Sequence, residues 1–430
     1  MTTMEMSKFP SGFFWGAATS AHQVEGGNRN DWAEWEHANA KRLVAEAKKK
    51  QWPDFVLRNY PNPLQEENYV SGRACDHYNR FREDFDIAKS LDHNAHRFSI
   101  EWSRIEPEEG KFDEREIEHY REVIRALRER GMEPFVTLWH WTDPLWVRDQ
   151  GGWRNPKTVT DFVRFSKHLM EQFQELVQYW QPLNEPNIYT GFGYITGAQP
   201  PGEKNVIHAI QASKNLTRAH QMVYEAAHSL SPHLRIGVSH AVTHRVAYRK
   251  RVWNKWAVHI LDYVSENRFL ERMSPYADFL GIQYYKYEPI ALRWGGKLIR
   301  IIAIADEISW KSDLGWQVYP KGIYHAIKRF QKYGKPILIT ENGIADAQDV
   351  HREKFIQEHI RWMGKAMKEG ADVWGYFYWS LLDNFEFPEL RGFWPRFGLV
   401  ELDYKTLERK IRPSAWEYKK IIEKLRSKPP

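Results

Sequence analysis

The chain has 430 residues, of which 42% are hydrophobic, 15% aromatic and 27% charged; this composition indicates a globular protein with a large core and excludes a disordered, collagen-like or coiled-coil chain. Its 62 basic and 56 acidic residues leave a net charge of only +6, so the charge balance predicts no nucleic-acid partner. No stretch of about 18 apolar residues exists, and we predict no transmembrane segment. The single cysteine, Cys75, has no partner for an internal disulfide, which favours a reducing, cytoplasmic location.

Short apolar or β-rich runs recur along the whole chain, and longer segments with helical periodicity lie between them. In chain order, the runs predict eight strands, at residues 14–18, 95–100, 134–139, 179–183, 236–239, 279–284, 337–340 and 373–379. The clearest helices between them are predicted at 113–130, at 352–369, and from Pro156 onward behind an Asn155 cap. Strand and helix therefore alternate without a break.

This alternation indicates an α/β protein with a parallel sheet. Eight strand–helix units in a chain of this size favour one closed (β/α)8 TIM barrel with extended loops, spanning residues 1–430, over two doubly wound domains. Residues 37–72 contain Pro53, Pro61 and Pro63. We predict that this segment is a loop insertion between the first and second strands.

Polar side chains gather at the predicted carboxyl ends of the strands, which meet on one face of a TIM barrel. Each of them, taken singly, has an ordinary structural explanation, such as a glutamate that caps a helix or an arginine that balances a buried acid. Their concurrence at one rim predicts a functional site there. The side chains are Gln23, Arg97, His140, Asn184, Glu185, Gln283, Tyr285, Glu341, Trp379 and Glu386.

Two carboxylates, a neighbouring arginine and tyrosine, and several aromatic and amide groups are the parts of a glycoside hydrolase site. One carboxylic acid protonates the leaving oxygen while the other attacks the anomeric carbon or activates water, and aromatic rings and amides bind the sugar. No His-x-x-x-His spacing or comparable ligand set predicts a metal. No glycine-rich phosphate loop follows the first strand, so no cofactor is predicted.

Five segments carry a family resemblance: FWGAATSAHQVEG at 14–26, RFSIEWSR at 97–104, NEP at 184–186, ITENG at 339–343 and WSLLDNFE at 379–386. In this order they resemble glycoside hydrolase family 1, the retaining β-glycosidases, and the resemblance extends over about residues 9–418. It implies an exo-acting enzyme that hydrolyses small β-glycosides or short oligosaccharides through a covalent glycosyl-enzyme intermediate. β-Glucosides, β-galactosides and β-fucosides are the expected substrates.

The resemblance also implies roles for individual residues. Glu185 would be the general acid/base and Glu341 the nucleophile, with Arg97 and Tyr285 hydrogen-bonded to Glu341. These two contacts should lower the pKa of Glu341, and the negative charge on Glu341 should raise the pKa of Glu185. The residues that would hold the sugar are Gln23, His140, Asn184, Trp379, Glu386 and Phe387.

The chain departs from the family pattern at two of these positions. The family usually has tryptophan after the sugar-binding glutamate, where this chain has Phe387, and asparagine two residues before the active-site tyrosine, where it has Gln283. The first departure bears on sugar preference, and the second on the support of Tyr285.

Two related functions are alternatives. A 6-phospho-β-glycosidase would have to place a phosphate dianion beside the sugar O6, where Glu386 would repel it. A non-catalytic carbohydrate-binding relative would lack one of the two glutamates, and both are present here. The sequence predicts no particular oligomeric state.

Overall fold

The computed structural model describes residues 8–295, 298–303, 310–387 and 392–427. Its strands in chain order are Phe14–Ala18 (β1), Ala95–Ser99 (β2), Glu133–Trp139 (β3), Tyr179–Leu183 (β4), Arg235–Ala247 (β5), Phe279–Gly295 (β6), Leu298–Ala303 (β7), Ile337–Asn342 (β8), Val373–Trp379 (β9), Val400–Leu402 (β10) and Arg409–Ile411 (β11). The main sheet has the order β5-β4-β3-β2-β1-β9-β8-β6-β7, and β5 also pairs with β6. This last pairing closes eight parallel strands into a barrel, as predicted from the alternation.

Helices surround the barrel, and several of the longer ones bury an apolar stripe against the strands. In α6, for example, Ile117, Tyr120, Ile124 and Leu127 are buried at helical spacing. The helices are Ala21–Val24 (α1), Asp31–Ala47 (α2), Asp54–Leu57 (α3), His77–Ser90 (α4), Trp102–Ile105 (α5), Glu114–Glu129 (α6), Leu145–Asp149 (α7), Lys157–Phe173 (α8), Pro186–Thr190 (α9), Val206–Leu230 (α10), Val252–Asp262 (α11), Arg268–Met273 (α12), Lys321–Phe330 (α13), Arg352–Lys368 (α14) and Pro413–Leu425 (α15).

Two of the predicted strands are much longer than the sequence indicated. The predictions ended at residues 239 and 284, whereas β5 continues to Ala247 and β6 to Gly295. Above the barrel rim the two strands keep pairing with each other, after a register shift between Val242 and Thr243, and β6 then pairs antiparallel with β7. Beyond the rim both strands bring in polar residues, such as Thr243-His244-Arg245 in β5 and Lys286 and Glu288 in β6, so the continuous apolar run of a buried strand ends before the strand does.

The segment 37–72 contains helical structure and is not a loop throughout. Its first residues belong to α2, and α3 and a 3₁₀ turn at Glu66–Tyr69 follow. Asn30 caps α2 because its side chain accepts a hydrogen bond from the Ala33 backbone N–H. The buried side chains of Leu43 and Val44 then form a small core with Tyr69. The prolines that suggested a loop all lie after the end of α2.

The start of α8 also differs slightly from the prediction. The helix begins at Lys157, with Pro156 as its first flanking residue, while the Asn155 side chain accepts a hydrogen bond from the Lys157 N–H at 3.0 Å.

Among the described residues, no helix is both long enough and apolar enough to cross a bilayer.

Strands β1 and β2 approach so closely at Gly16 that no side chain fits there. A Cβ atom on Gly16 would lie 2.0 Å from the carbonyl oxygen of Ala95 in β2, and a backbone atom cannot move aside as a flexible side chain can. We expect Gly16→Ala to lower the free energy of unfolding by about 3 kcal/mol. Urea denaturation measures the change.

The matched control is Gly191→Ala, where a Cβ would meet no atom within 4 Å and the backbone has helical angles. This variant should unfold at the same urea concentration as the wild type or slightly above it. Equal midpoints for the two alanine variants would contradict the close approach of β1 and β2.

Candidate active site

A cavity opens where the barrel strands end, and the predicted site residues converge on it. Arg97 alone among them lies behind the wall, fully buried. The predicted residues that line the cavity are Gln23, His140, Asn184, Glu185, Gln283, Tyr285, Glu341, Trp379, Glu386 and Phe387.

The carboxyl group of Glu341, near the end of β8, is held by three donors. Its Oε1 accepts hydrogen bonds from the Arg97 guanidinium and from Gln283 Nε2, the latter at 2.6 Å, and its Oε2 accepts one from the Tyr285 hydroxyl at 2.8 Å. Gln283 therefore binds Glu341 directly, although it stands where the family usually has asparagine. All three contacts match the ionised carboxylate, which has only acceptors.

Burial raises the pKa of Glu341, and the contacts with Arg97, Tyr285 and Gln283 oppose that shift. Arg97 and Tyr285 thus each act to lower the pKa of Glu341, as predicted. The predicted net lowering of the pKa is wrong, because the loss of water around a buried carboxylate outweighs its three contacts.

The guanidinium of Arg97 is bonded on every side to residues that follow or belong to other strands. Its Nε donates to Gln181 Oε1 at 2.6 Å, and its Nη2 donates to Asn184 Oδ1 at 2.6 Å and to Ser239 Oγ at 3.2 Å. Together with Glu341, these partners fix the plane of the guanidinium, so the orientation of Glu341 is set by residues of β2, β4, β5 and β8.

Glu185 lies directly after β4, at the start of α9. Its backbone is in the left-handed region, with φ 41° and ψ 56°, and Pro186 occupies the first turn of the helix. The Glu185 N–H donates to the Ser239 carbonyl at 3.0 Å. A non-glycine residue in this region carries backbone strain, which is commonly found at functional sites because the surrounding structure must hold it.

Glu386 forms the far end of the cavity and is only 2% exposed. It accepts hydrogen bonds from Trp379 Nε1 and Asn384 Nδ2, both at 3.1 Å, and from Gln23 Nε2 at 3.5 Å. Burial raises its pKa to about 8, against the effect of these donors, and the nearby charge of Glu341 adds to the rise. The neutral form of the Glu386 carboxyl is therefore favoured near neutral pH.

His140, which follows β3, is an uncharged imidazole. Burial and the positive charge of Arg97 hold its pKa well below the usual range. Asn184 Nδ2 lies 3.0 Å from His140 Nε2, so this nitrogen is the acceptor and the ring proton is on Nδ1. Asn184 and His140 are thereby linked to Arg97 in one network.

Phe387 lines the cavity beside Glu386 and packs in a cluster of aromatic rings. Its ring centroid lies 4.4 Å from that of Trp32 and 4.9 Å from that of Trp141, and it stacks at 5.9 Å on His22 with an interplanar angle of 8°. His22 in turn forms a buried pair with Glu36 of α2 at 2.7 Å. The segment after β1 thus supports the part of the cavity wall that Phe387 forms.

Some residues of the site had no role predicted from the sequence. Gln181 and Ser239 accept hydrogen bonds from Arg97. The only indication of this role in the sequence was that each is a polar residue within a predicted buried strand. Lys286 and Trp316 line the outer part of the cavity, where the lysine ammonium lies 4.2 Å from the indole centroid. Among the described residues, no group of three or more His, Cys, Asp or Glu is arranged to hold a metal ion.

Comparison with known proteins identifies the family. The model of glycosyl hydrolase family 1 matches residues 5–274 and 263–426 of this chain. Beta-glucosidase A of Thermotoga maritima is 31% identical over 467 aligned residues, which cover 97% of this chain and 98% of that protein.

Solved structures show the same likeness. A beta-glycosidase from Pyrococcus horikoshii superposes with a TM-score of 0.86 at 35% identity, covering 99% of this chain and 97% of that one. The beta-glucosidase from Thermotoga maritima in complex with galacto-hydroximolactam superposes with a TM-score of 0.83 at 28% identity, covering 98% of this chain and 100% of that one. This chain therefore belongs to glycosyl hydrolase family 1 and is a β-glycosidase, a hydrolase of O-glycosyl bonds.

Proposed function

We propose that the protein is an exo-acting, retaining β-glycosidase that removes the terminal sugar from small β-glycosides and short oligosaccharides. The observation that carries the proposal is the placement of Glu185 and Glu341 in one cavity, with Glu341 held by Arg97, Gln283 and Tyr285. A carboxylate fixed by three donors suits a nucleophile, because it meets the reacting carbon without having to reorient.

The hydrogen bonds suggest which oxygen attacks. A carboxylate has about four lone-pair sites, and Oε1 of Glu341 uses both of its own for Arg97 and Gln283. Among the described residues, Oε2 accepts only from Tyr285, which leaves it one lone pair. In the proposed first step Oε2 bonds to the anomeric carbon, the bond to the leaving oxygen breaks, and Glu185 gives that oxygen its proton.

In the second step the same groups act in reverse. Glu185, now ionised, takes a proton from a water molecule, the water oxygen bonds to the anomeric carbon, and the ester bond to Glu341 breaks with its electron pair returning to Oε2. Each step inverts the anomeric carbon, so the product keeps the β-configuration.

Exo action is supported by the closed inner end of the cavity. Gln23, Trp379 and Glu386 are each no more than 4% exposed, and Gln23 and Trp379 both donate to Glu386. We infer that this end accepts a terminal sugar and no chain continuing beyond it. We propose that the sugar hydroxyls donate to Glu386 and restore its carboxylate form. Among the described residues, the three side chains that bond Glu386 are all uncharged, and none of them would attract a phosphate on the sugar O6.

The names and the bound ligand of the matched relatives refer to more than one sugar. The matched Thermotoga maritima protein is named for glucosides, and a solved structure of a beta-glucosidase from that organism holds a galacto-configured ligand. For this chain we propose β-glucosides, β-galactosides and β-fucosides as substrates, because a carboxylate at position 386 can accept from O4 in either configuration.

Retention of configuration is tested by proton NMR of the first sugar released from a nitrophenyl β-glucoside. We expect the β-anomer to appear first and to mutarotate afterwards, because two successive inversions restore the starting configuration. Initial release of the α-anomer would contradict the double displacement.

The roles of the two glutamates are tested with alanine variants, a dinitrophenyl glycoside and azide. This leaving group needs no protonation, so Glu185→Ala should form the glycosyl-enzyme and then stall, and azide should release it as the β-glycosyl azide. Glu341→Ala should be inactive with every leaving group, and azide should give the α-azide.

The matched control is Glu288→Ala, since Glu288 also lines the cavity but its side chain is 31% exposed and lies at the outer part. Its activity should stay within about tenfold of the wild type. If the two active-site variants gave the opposite azides, the roles of Glu185 and Glu341 would have to be exchanged.

Sugar choice is tested at Phe387. An indole there would add a directed N–H donor that phenylalanine lacks, and a hydrogen bond of this type contributes about 0.5 to 1.5 kcal/mol, or roughly two- to tenfold in relative rate. We expect the wild-type kcat/KM values for the three sugars to lie within about a hundredfold, and Phe387→Trp to change the glucoside-to-galactoside ratio by about two- to tenfold.

Phe387→Leu serves as the control, because it changes the shape of the aromatic cluster without adding a donor and should leave the ratio near that of the wild type. A wild-type preference of more than about a thousandfold, or an unchanged ratio in Phe387→Trp, would show that another group selects the sugar.

A further inference from the structure

Helix α11 and the turn after it present a stripe of large apolar side chains to solvent. Trp253 is 52% exposed and Trp256 64%, and the other members of the stripe are exposed to a similar degree. The stripe, which we name the α11 outer face, follows the helical spacing and consists of Val252, Trp253, Trp256, Ile260, Tyr263 and Val264. A contiguous apolar surface of this kind marks an interaction site.

The inner side of α11 is small and polar, the reverse of an ordinary surface helix. Asn254 and Ala257 are its buried residues. Asn254 accepts a hydrogen bond from the Leu292 N–H at 2.9 Å and donates to the Tyr248 carbonyl at 2.7 Å. These bonds anchor the helix on β6, so the tryptophans are held outward by specific contacts.

Basic side chains border the α11 outer face. Arg249, Lys250, Arg251 and Lys255 are all exposed, and none forms an ion pair with another described residue.

The acidic residues of the same segment point inward. Asp262 pairs with Arg245 at 2.9 Å, and the buried Glu266 pairs with Arg245 and Arg329. Among the described residues, the charge that this side offers to a partner is therefore positive.

The α11 outer face lies close to the entrance of the active site. Arg245 and Thr243 line the cavity. Arg245 is bonded to Asp262 of α11, and the Thr243 N–H donates at 3.0 Å to Glu266 in the turn that follows the helix. The cavity wall and α11 are thus joined by direct contacts, and a partner bound to the helix would sit beside the entrance.

We propose that the α11 outer face docks on an anionic lipid surface and thereby places the entrance of the cavity at that surface. Tryptophan and tyrosine favour the region between the lipid headgroups and the acyl chains, and neighbouring lysines and arginines are attracted to anionic headgroups. A second copy of the chain fits less well. In a symmetric dimer through this face, the four basic residues of each copy would face those of the other.

The experiment is cosedimentation of the full chain with vesicles of phosphatidylcholine alone and of phosphatidylcholine mixed equally with phosphatidylglycerol. We expect binding to the mixed vesicles that weakens as salt is added. The variants Trp253→Ala/Trp256→Ala and Lys250→Glu/Lys255→Glu should each reduce the partition coefficient by about tenfold or more. Hydrolysis of a water-soluble nitrophenyl glycoside should stay unchanged, which shows that the variants are folded.

Matched controls come from other exposed positions of the chain. Trp416→Ala removes a tryptophan that is 40% exposed on α15, and Lys48→Glu/Lys49→Glu reverses two exposed charges beyond α2. Both should bind vesicles as the wild type does. Equal loss in these controls, or absence of binding to the mixed vesicles, would overturn the proposal. A wild-type dimer that Trp253→Ala/Trp256→Ala converts to a monomer, without vesicle binding, would identify a second copy as the partner.

Discussion

The buried ion pair between Arg97 and Glu341 is the interaction on which the rest of the site depends. Arg97 is fully buried, and an unpaired guanidinium in that position would cost several kcal/mol. It is satisfied because Gln181, Ser239 and Glu341 reach it from three other strands of the barrel, together with Asn184, which follows β4. The same contacts that compensate its burial also set the direction of the Glu341 carboxyl, so the stability of the barrel interior and the geometry of the site have one origin.

The cavity carries an electrostatic cost, because it buries the carboxyl groups of Glu341 and Glu386. The pKa of Glu386 rises from its usual 4.5 to about 8, so the folded protein holds a proton that the unfolded chain releases. The stability this proton contributes is fully present below about pH 4.5 and is lost as the pH rises through 8. In the function we propose, sugar hydroxyls that donate to Glu386 would favour its ionised form and so offset part of this cost.

The extensions of β5 and β6 beyond the barrel rim link the wall of the cavity to helix α11 at the surface of the protein. Thr243 and Arg245 of β5 line the cavity on one side and bond to the segment of α11 on the other. Because the two strands pair with each other above the barrel, this wall is a sheet with its own hydrogen bonds, more rigid than an irregular loop would be.

The sequence by itself determined the barrel, because eight apolar runs separated by helical stripes leave few other ways to bury both faces of a parallel sheet. It also indicated the rim residues Glu185, Glu341 and Glu386, since the residues that follow parallel strands must meet on one face. Only the tertiary structure decided the net pKa shift of Glu341, which depends on how completely water is excluded. It alone revealed the outward tryptophans of α11, because the direction of a helix face is set by what packs beneath it, here Asn254 and Ala257 against β6.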